Sequence, residues 1–211
     1  MTLTTSRNAI AGLILAGGRS TRFDGGEKEK ALLNGRPLIE HVIERAAPQV
    51  RTLAVSRPRG EAGRSFGFEI VADDLDDRGP IAGLAAGLRW ALALTPSAEF
   101  LATFACDTPH FPEDLIHRLA EPIASGAARA SIASAGGALH PTFGLWPVDF
   151  AGAVERSIEE GALSLKGFAR AVGAVVVEFD DPEGTSFFNI NRREDLRRLE
   201  KRSDGIIKLK Q

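Results

Sequence analysis

Short apolar runs alternate with amphipathic segments along most of the chain, and this alternation constrains the fold more than any other feature of the sequence. The runs are rich in β-branched and aromatic residues, and their lengths are those of strands. They cover residues 9–15, 52–56, 68–72, 100–106, 130–134, 143–146 and 174–179. Most of them are apolar throughout, which is typical of strands that are covered on both faces of a sheet.

The segments between these runs have the apolar spacing of helices. Residues 37–47 place Leu38, Ile39, Val42, Ile43 and Ala46 on one face, and residues 80–92 and 111–120 repeat the pattern. Strands that alternate with helices in this way predict an α/β fold, a three-layer open structure with a mostly parallel sheet. Ligands bind at the carboxyl ends of the strands in such sheets. We therefore expect functional residues directly after Leu15, Ser56, Ala72 and Cys106.

Length and charge limit the classes of protein to which the chain can belong. Its 211 residues predict a single domain over residues 1–211, with frayed tails at about 1–8 and 203–211. A net charge of −2 does not favour nucleic-acid binding. The single cysteine cannot form an internal disulfide, and no apolar stretch approaches the roughly 20 residues that cross a bilayer. We expect a cytoplasmic protein that binds neither nucleic acid nor membrane.

A glycine-rich, basic segment, "AGGRSTRFDGGEKEK", follows the first predicted strand at residues 16–30. Adjacent glycines allow backbone N–H groups to converge on an anion, and Arg19, Arg22, Lys28 and Lys30 can bind phosphate oxygens. The segment matches neither the P-loop nor the dinucleotide-binding fingerprint. The residues alone leave two interpretations open, a phosphate-binding loop and a solvated surface turn.

Asp107 comes directly after the predicted strand at residues 100–106. One carboxylate at a strand end beside a phosphate loop suits Mg²⁺, which usually takes only one or two protein carboxylates. A helix cap or an Asx turn before Pro109 is the alternative. The sequence contains no serine elbow, no plausible cysteine–histidine pair and no histidine cluster. A reaction in which the substrate's own phosphate attacks would need no protein nucleophile.

Blocks along the chain resemble molybdenum cofactor guanylyltransferases. They are "LAGGRSTRFDGGEKEKALLNGRPL", "GPIAGLAAGL", "CDTPHFPEDL", "HPTFGLW" and "FFNINRREDLRRLE", and together they span about residues 9–200. The resemblance implies a Rossmann-like nucleotidyltransferase fold, Mg²⁺ as cofactor, and transfer of GMP from GTP to molybdopterin with release of pyrophosphate. It is also compatible with transient contact with proteins that deliver the cofactor.

The resemblance also implies roles for individual residues. It implies catalytic roles for Lys30, Arg22 and Asp107, with Asp107 as the metal ligand, and places His140 near the second substrate. It implies nucleotide or phosphate contacts for Leu15, Ala16, Gly17, Gly18, Lys28, Lys30, Ser56, Asp73, Asp107, Asn189 and Asn191. The sequence departs from the family at Glu29, where the family usually has Asp, and its loop is two residues longer, so that Lys28 competes with Lys30. Lys30 is preferred because it keeps the spacing to Leu32 and Leu33.

Two other functions stay open at this point. A cytidylyltransferase of the same cofactor, or a sugar-phosphate nucleotidyltransferase, would share the glycine-rich loop and the metal aspartate. The paired glycines of "LAGG" and the "CDTP" motif favour the guanylyl enzyme. A non-catalytic GTP-binding relative is the second alternative, and only the longer lysine loop supports it.

Overall fold

A computed structural model describes residues 6–16, 31–58, 63–73, 79–161, 164–182 and 184–200 of the chain. Every run predicted as a strand forms one. The strands are β1 (Ile10–Leu15), β2 (Leu32–Leu33), β3 (Arg36–Pro37), β4 (Thr52–Pro58), β5 (Arg64–Ser65), β6 (Phe68–Asp73), β7 (Phe100–Ala105), β8 (Ser131–Ala135), β9 (Ala138–Pro147) and β10 (Val175–Phe179). The short strands β2, β3 and β5 were not predicted.

Eight of these strands form one sheet in the order β10-β8-β9-β7-β1-β4-β6-β5, and β2 pairs with β3 in a separate hairpin. Strand β1 is parallel to both β4 and β7, β4 is parallel to β6, and β8 is parallel to β10. Only β5 and β9 run antiparallel to their neighbours within this sheet. The prediction of a mostly parallel, mixed α/β sheet is therefore confirmed.

Helices cover both faces of the sheet. They are α1 (Leu38–Ala46), α2 (Pro80–Ala93), α3 (Leu115–Ala124), α4 (Ala151–Glu159) and α5 (Leu165–Ala171). Apolar residues of α1 and α3 pack with one face of the sheet, and those of α2, α4 and α5 pack with the other. Residues 193–200 are also helical. Among the described helices, none has the length and apolar character needed to span a membrane.

Two local predictions differ from the structure, and two helices were not predicted. The predicted helical segment 111–120 is helical only from Leu115, where α3 begins after Asp114 at its N-cap. Helices α4 and α5 were not predicted. Residues 7–9, which overlap the expected tail 1–8, form a 3₁₀ turn in which the Arg7 Nε donates to the Val50 carbonyl at 2.8 Å. The other expected tail, 203–211, lies outside the described residues.

Candidate active site

Four parallel strands, β1, β4, β6 and β7, end at the same edge of the sheet. Their register shows which of the predicted site residues lie at that edge. Leu15 at the end of β1 pairs with Ser56 of β4 and with Ala105 of β7. Pro58 of β4 pairs with Asp73 of β6. Because Asp107 follows Ala105 by two residues, the structure brings Leu15, Ala16, Ser56, Asp73 and Asp107 to one edge. This is the edge at which open α/β sheets bind ligands.

Asp107 is held at this edge by the residues on both sides of it. The Cys106 amide donates to the Leu15 carbonyl at 3.4 Å, which extends the pairing of β7 with β1 by one residue. The Thr108 hydroxyl, only 2% exposed, donates to the Asp107 Oδ1 at 3.2 Å. The carboxylate is thus fixed in orientation by a buried neighbour. A hard cation such as Mg²⁺ binds carboxylate oxygens of this kind.

The segment 187–191 docks onto the loop that carries Asp107. The Ile190 amide donates to the Asp107 carbonyl at 2.9 Å, and the Phe187 amide donates to the His110 carbonyl at 2.7 Å. Ile190 is fully buried, whereas Asn189 and Asn191 on either side of it are exposed. The structure therefore brings these two asparagines next to the backbone of Asp107. Their contact with a ligand remains a prediction.

Residues 190–200 contact the β2–β3 hairpin, which follows the glycine-rich loop in the chain. Ile190 packs in a small cluster with Leu33, Leu38 and Leu199. The Asn34 amide donates to the Glu200 Oε1 at 3.3 Å. Hairpin β2–β3 is thus joined to the neighbourhood of Asp107 by residues from the end of the chain. Gly17, Gly18, Arg22, Lys28 and Lys30 lie between β1 and this hairpin and outside the described residues, so their roles remain predictions.

The N-terminal half of α2 packs closely over the ends of β1 and β4. A Cβ atom at Gly83 would lie 2.9 Å from both Leu15 Cδ2 and Ser56 Oγ. Ser56 is only 1% exposed, so its hydroxyl faces this helix. Gly79, with a φ of 66°, allows the chain to turn into Pro80 at the helix start. The glycines of "GPIAGL" therefore permit the close approach of α2, and a nucleotide contact of Ser56 remains a prediction.

His140 lies at the same edge, on a part of β9 that separates from β7. Ile132 of β8 pairs with Gly144, but the next residue, Ala133, pairs with His140, so residues 141–143 bulge out of β9. The His140 ring stacks on Phe187 at 4.8 Å between centroids. Burial lowers the pKa of His140, and the carboxylates of Asp181 and Glu178 oppose this shift.

Arg57 is the charged residue at this edge that sequence reasoning missed. It is 5% exposed, and its guanidinium donates to the Ala16 carbonyl at 3.4 Å and to the Ser65 hydroxyl at 3.0 Å. In the sequence it stands in "SRPR", a polar run after an apolar strand, and such a run is typical of a solvated turn. Only tertiary packing distinguishes this arginine from an exposed one.

The carboxylate of Asp107 suits a cation that is bound partly by the protein and partly by a substrate. Within the described ranges, no group of three or more His, Cys, Asp and Glu side chains could hold a metal by itself. Mg²⁺ does not need such a group, because it is commonly bound by one or two carboxylates together with substrate phosphates and water. Asp107, at the open edge of the sheet, fits that mode of binding.

Comparison with known proteins gives a consistent result. Residues 12–175 match the family model described as the MobA-like NTP transferase domain. A molybdenum cofactor guanylyltransferase of Cereibacter sphaeroides is 42% identical over 192 residues, which cover 90% of this chain and 95% of that protein. One from Mesorhizobium japonicum is 37% identical and covers 90% of this chain and 94% of its own length. The structure of molybdopterin-guanine dinucleotide biosynthesis protein A from Archaeoglobus fulgidus has the same fold, with a TM-score of 0.68, 24% identity, and coverage of 92% of this chain and 99% of that one.

Proposed function

Because the chain belongs to the MobA-like NTP transferase family and is a nucleotidyltransferase, we propose that it transfers GMP from GTP to molybdopterin, with release of pyrophosphate. The observation that carries the proposal is the placement of Asp107, Asp73, Leu15 and Ala16 at one carboxyl edge of the sheet. Relatives named molybdenum cofactor guanylyltransferase, at 34–42% identity, support the choice of substrates.

In this proposal the nucleotide lies along residues 15–30, with its α-phosphate near Asp107. An oxygen of the molybdopterin phosphate attacks the α-phosphorus of GTP, and the bond from that phosphorus to the bridging oxygen of the β-phosphate breaks. The second pKa of a phosphate monoester is about 6, so the attacking group is largely ionised at neutral pH. The protein therefore has to bring two anions together in line and to compensate their charge.

Each group of residues has a separate task in this step. The backbone amides that follow Ala16, together with Arg22 and Lys30, bind the triphosphate and stabilise the negative charge that develops on pyrophosphate. Asp107 would hold the metal, and Asn189 and Asn191 lie next to the backbone of Asp107. Nucleotidyltransferases of this family generally use a divalent metal, and we propose Mg²⁺. When bound, the metal ion supplies positive charge at the phosphate oxygens and keeps the reacting groups in line.

The choice of base is tested by nucleotide binding. We expect the protein to bind GTP more tightly than CTP in the presence of Mg²⁺, as measured by isothermal titration calorimetry. Tighter binding of CTP would instead support the cytidylyltransferase alternative. Binding of GTP without pyrophosphate release in the presence of molybdopterin would support the non-catalytic alternative. Cytoplasmic location and contact with cofactor-delivery proteins remain predictions from the sequence.

A further inference from the structure

Arg57 occupies an unusual position for a charged residue. It is the only Asp, Glu, Lys or Arg in the described part of the chain whose side chain is buried, with 5% exposure. A guanidinium is charged at every physiological pH, and removing it from water is unfavourable unless fixed polar groups receive it. A neutral side chain would fill the same space without that cost. Compared with a neutral side chain, Arg57 therefore adds a positive charge and N–H donors to this site.

The strand register places Arg57 at the start of the glycine-rich loop. Strand β1 ends at Leu15, which pairs with Ser56, so Arg57 lies beside Ala16. Leu53, Val55 and Ala16 belong to the apolar cluster on the α1 face, and strand alternation puts Arg57 on that face as well. The Arg57 Nη1 donates to the carbonyl of Ala16, the last described residue before the loop, at 3.4 Å.

A second hydrogen bond of Arg57 connects the loop start to the hairpin that contains the outermost strand of the sheet, β5. Its Nη2 donates to the Ser65 hydroxyl at 3.0 Å, and Ser65 pairs with Phe68 in the β5–β6 hairpin. One planar group thus joins the end of β1 to a hairpin two strands away. At the other end of the loop, the Ala31 carbonyl accepts from the Leu38 amide at 2.9 Å. The residues that flank the loop are therefore both held by hydrogen bonds.

We propose that Arg57 is a positioning residue for the nucleotide. It fixes the direction in which the chain leaves Ala16, and it supplies a positive charge beside Ala16 at the carboxyl edge of the sheet. Charges inside a protein are weakly screened, so this one favours an anion at the edge of the sheet. The inference rests on the proposed function in one respect, the binding of GTP along residues 15–30.

The test compares the affinity for GTP·Mg²⁺, measured by calorimetry, with the KM for molybdopterin in Arg57→Gln and Arg57→Lys. We expect Arg57→Gln to weaken GTP binding by about 10-fold or more, because it removes both the positive charge and the charge-assisted hydrogen bond to the Ala16 carbonyl. Arg57→Lys, which keeps the charge, should recover part of that loss. The KM for molybdopterin should change by less than about 3-fold in both variants. If Arg57 had a purely structural role, its replacement would instead weaken GTP binding and raise the KM for molybdopterin by similar factors.

Arg51, directly before the same strand, provides a matched control. Its Nη2 donates to the Pro96 carbonyl at 2.8 Å, at the amino end of β4. Six residues of extended chain place it about 20 Å from Arg57. Arg51→Gln makes the same chemical change away from the site, and we expect it to bind GTP as the unsubstituted chain does. Equal losses of GTP affinity in Arg51→Gln and Arg57→Gln would overturn the inference.

If Arg57→Gln does not fold, Ser65→Ala tests the same contact without burying a new group. Loosening of the guanidinium should then weaken GTP binding by about 2- to 5-fold, the usual effect of one neutral hydrogen bond partner. GTP affinity equal to that of the unsubstituted chain, in a folded Arg57→Gln or in Ser65→Ala, contradicts the role of Arg57. Failure of the unsubstituted chain to bind GTP contradicts the proposed function itself, so the two failures are distinguishable.

Discussion

The backbone amide of Ile190 donates a hydrogen bond of 2.9 Å to the carbonyl of Asp107, so two residues more than 80 positions apart in the sequence share one corner of the site. Ile190 is fully buried between the β2–β3 hairpin and the helical residues 193–200. Residues 187–200 therefore form one side of the site. It brings the asparagines of "FFNIN" to the loop that carries Asp107, the proposed metal ligand.

Asp107→Asn should lower the rate of pyrophosphate release by about 100-fold or more, because it removes the negative charge that we propose to hold the metal while preserving the shape of the side chain. The rate is measured with GTP, molybdopterin and saturating Mg²⁺. Asp149→Asn is the control. Asp149 lies in the 3₁₀ turn that follows β9, and its exposed carboxylate pairs with Arg129. Retained turnover in Asp107→Asn would contradict the assignment of the metal ligand.

Lys30→Ala and Lys28→Ala form a matched pair that decides which lysine serves the phosphates. We expect Lys30→Ala to lose about 100-fold in turnover, since it removes a cation at the developing charge of pyrophosphate. Lys28→Ala should lose less than about 5-fold, as expected for a cation whose contribution is screened by solvent. The reverse order of the two losses would assign the role to Lys28 and show that the longer loop shifts the register.

Gly83→Ala should destabilise the fold by about 1–3 kcal/mol, the usual cost of extra volume in a packed core. The new Cβ would lie 2.9 Å from both Leu15 and Ser56, so α2 would have to move away from the ends of β1 and β4. Gly152→Ala is the control, because its Cβ would meet only Arg156 at 3.4 Å and alanine favours the helix by up to about 1 kcal/mol. Urea unfolding measures both, and equal stability of the two variants would refute the close approach of α2.

The stability of the fold should decrease as the pH falls below 6.5, in part because of His110. Burial, Arg45 and His41 lower the pKa of His110 from its ordinary value of 6.5. Below pH 6.5 the unfolded chain therefore binds a proton that the folded chain does not bind until a lower pH, and this difference favours unfolding. The contribution is complete above pH 6.5 and is lost as the pH falls toward the pKa of the folded state.

His110→Gln should remove that part of the pH dependence. The free energy of unfolding in urea, measured at about pH 7.5 and pH 5.5, should fall less in His110→Gln than in the unsubstituted chain. His117→Gln, at an exposed position of α3, controls for the substitution itself. An identical decrease in His110→Gln and the unsubstituted chain would show that His110 does not contribute.

The apolar runs predicted every long strand, because a strand buried on both faces must be apolar throughout. They did not predict the first part of β9, where "ALHPT" lacks that character and only Ala138, Leu139 and His140 pair with β8. Helices α4 and α5 were missed because each is short and buries few apolar residues, Val154 and Ile158 in α4 and Leu165, Phe168 and Ala169 in α5. The direction of β9 could not be predicted, since pairing partners far apart in sequence decide it.

The position of Asp107 at the carboxyl edge could be predicted from the sequence, because ligands bind at the carboxyl ends of strands in α/β sheets. Arg57 was not predicted because its neighbours in the sequence, Ser56 and Pro58, favour an exposed turn. Arg57 donates to Ser65 of the β5–β6 hairpin, and β5 has only two residues. Local patterns do not record such a contact, which arises only when separate strands assemble.

The proposed reaction is tested most directly by a mass-spectrometric search for product after the protein is incubated with GTP, Mg²⁺ and molybdopterin. We expect molybdopterin guanine dinucleotide together with an equal amount of pyrophosphate, and no dinucleotide when EDTA replaces Mg²⁺. A cytosine dinucleotide formed preferentially from CTP, or GTP binding without any dinucleotide, would contradict it.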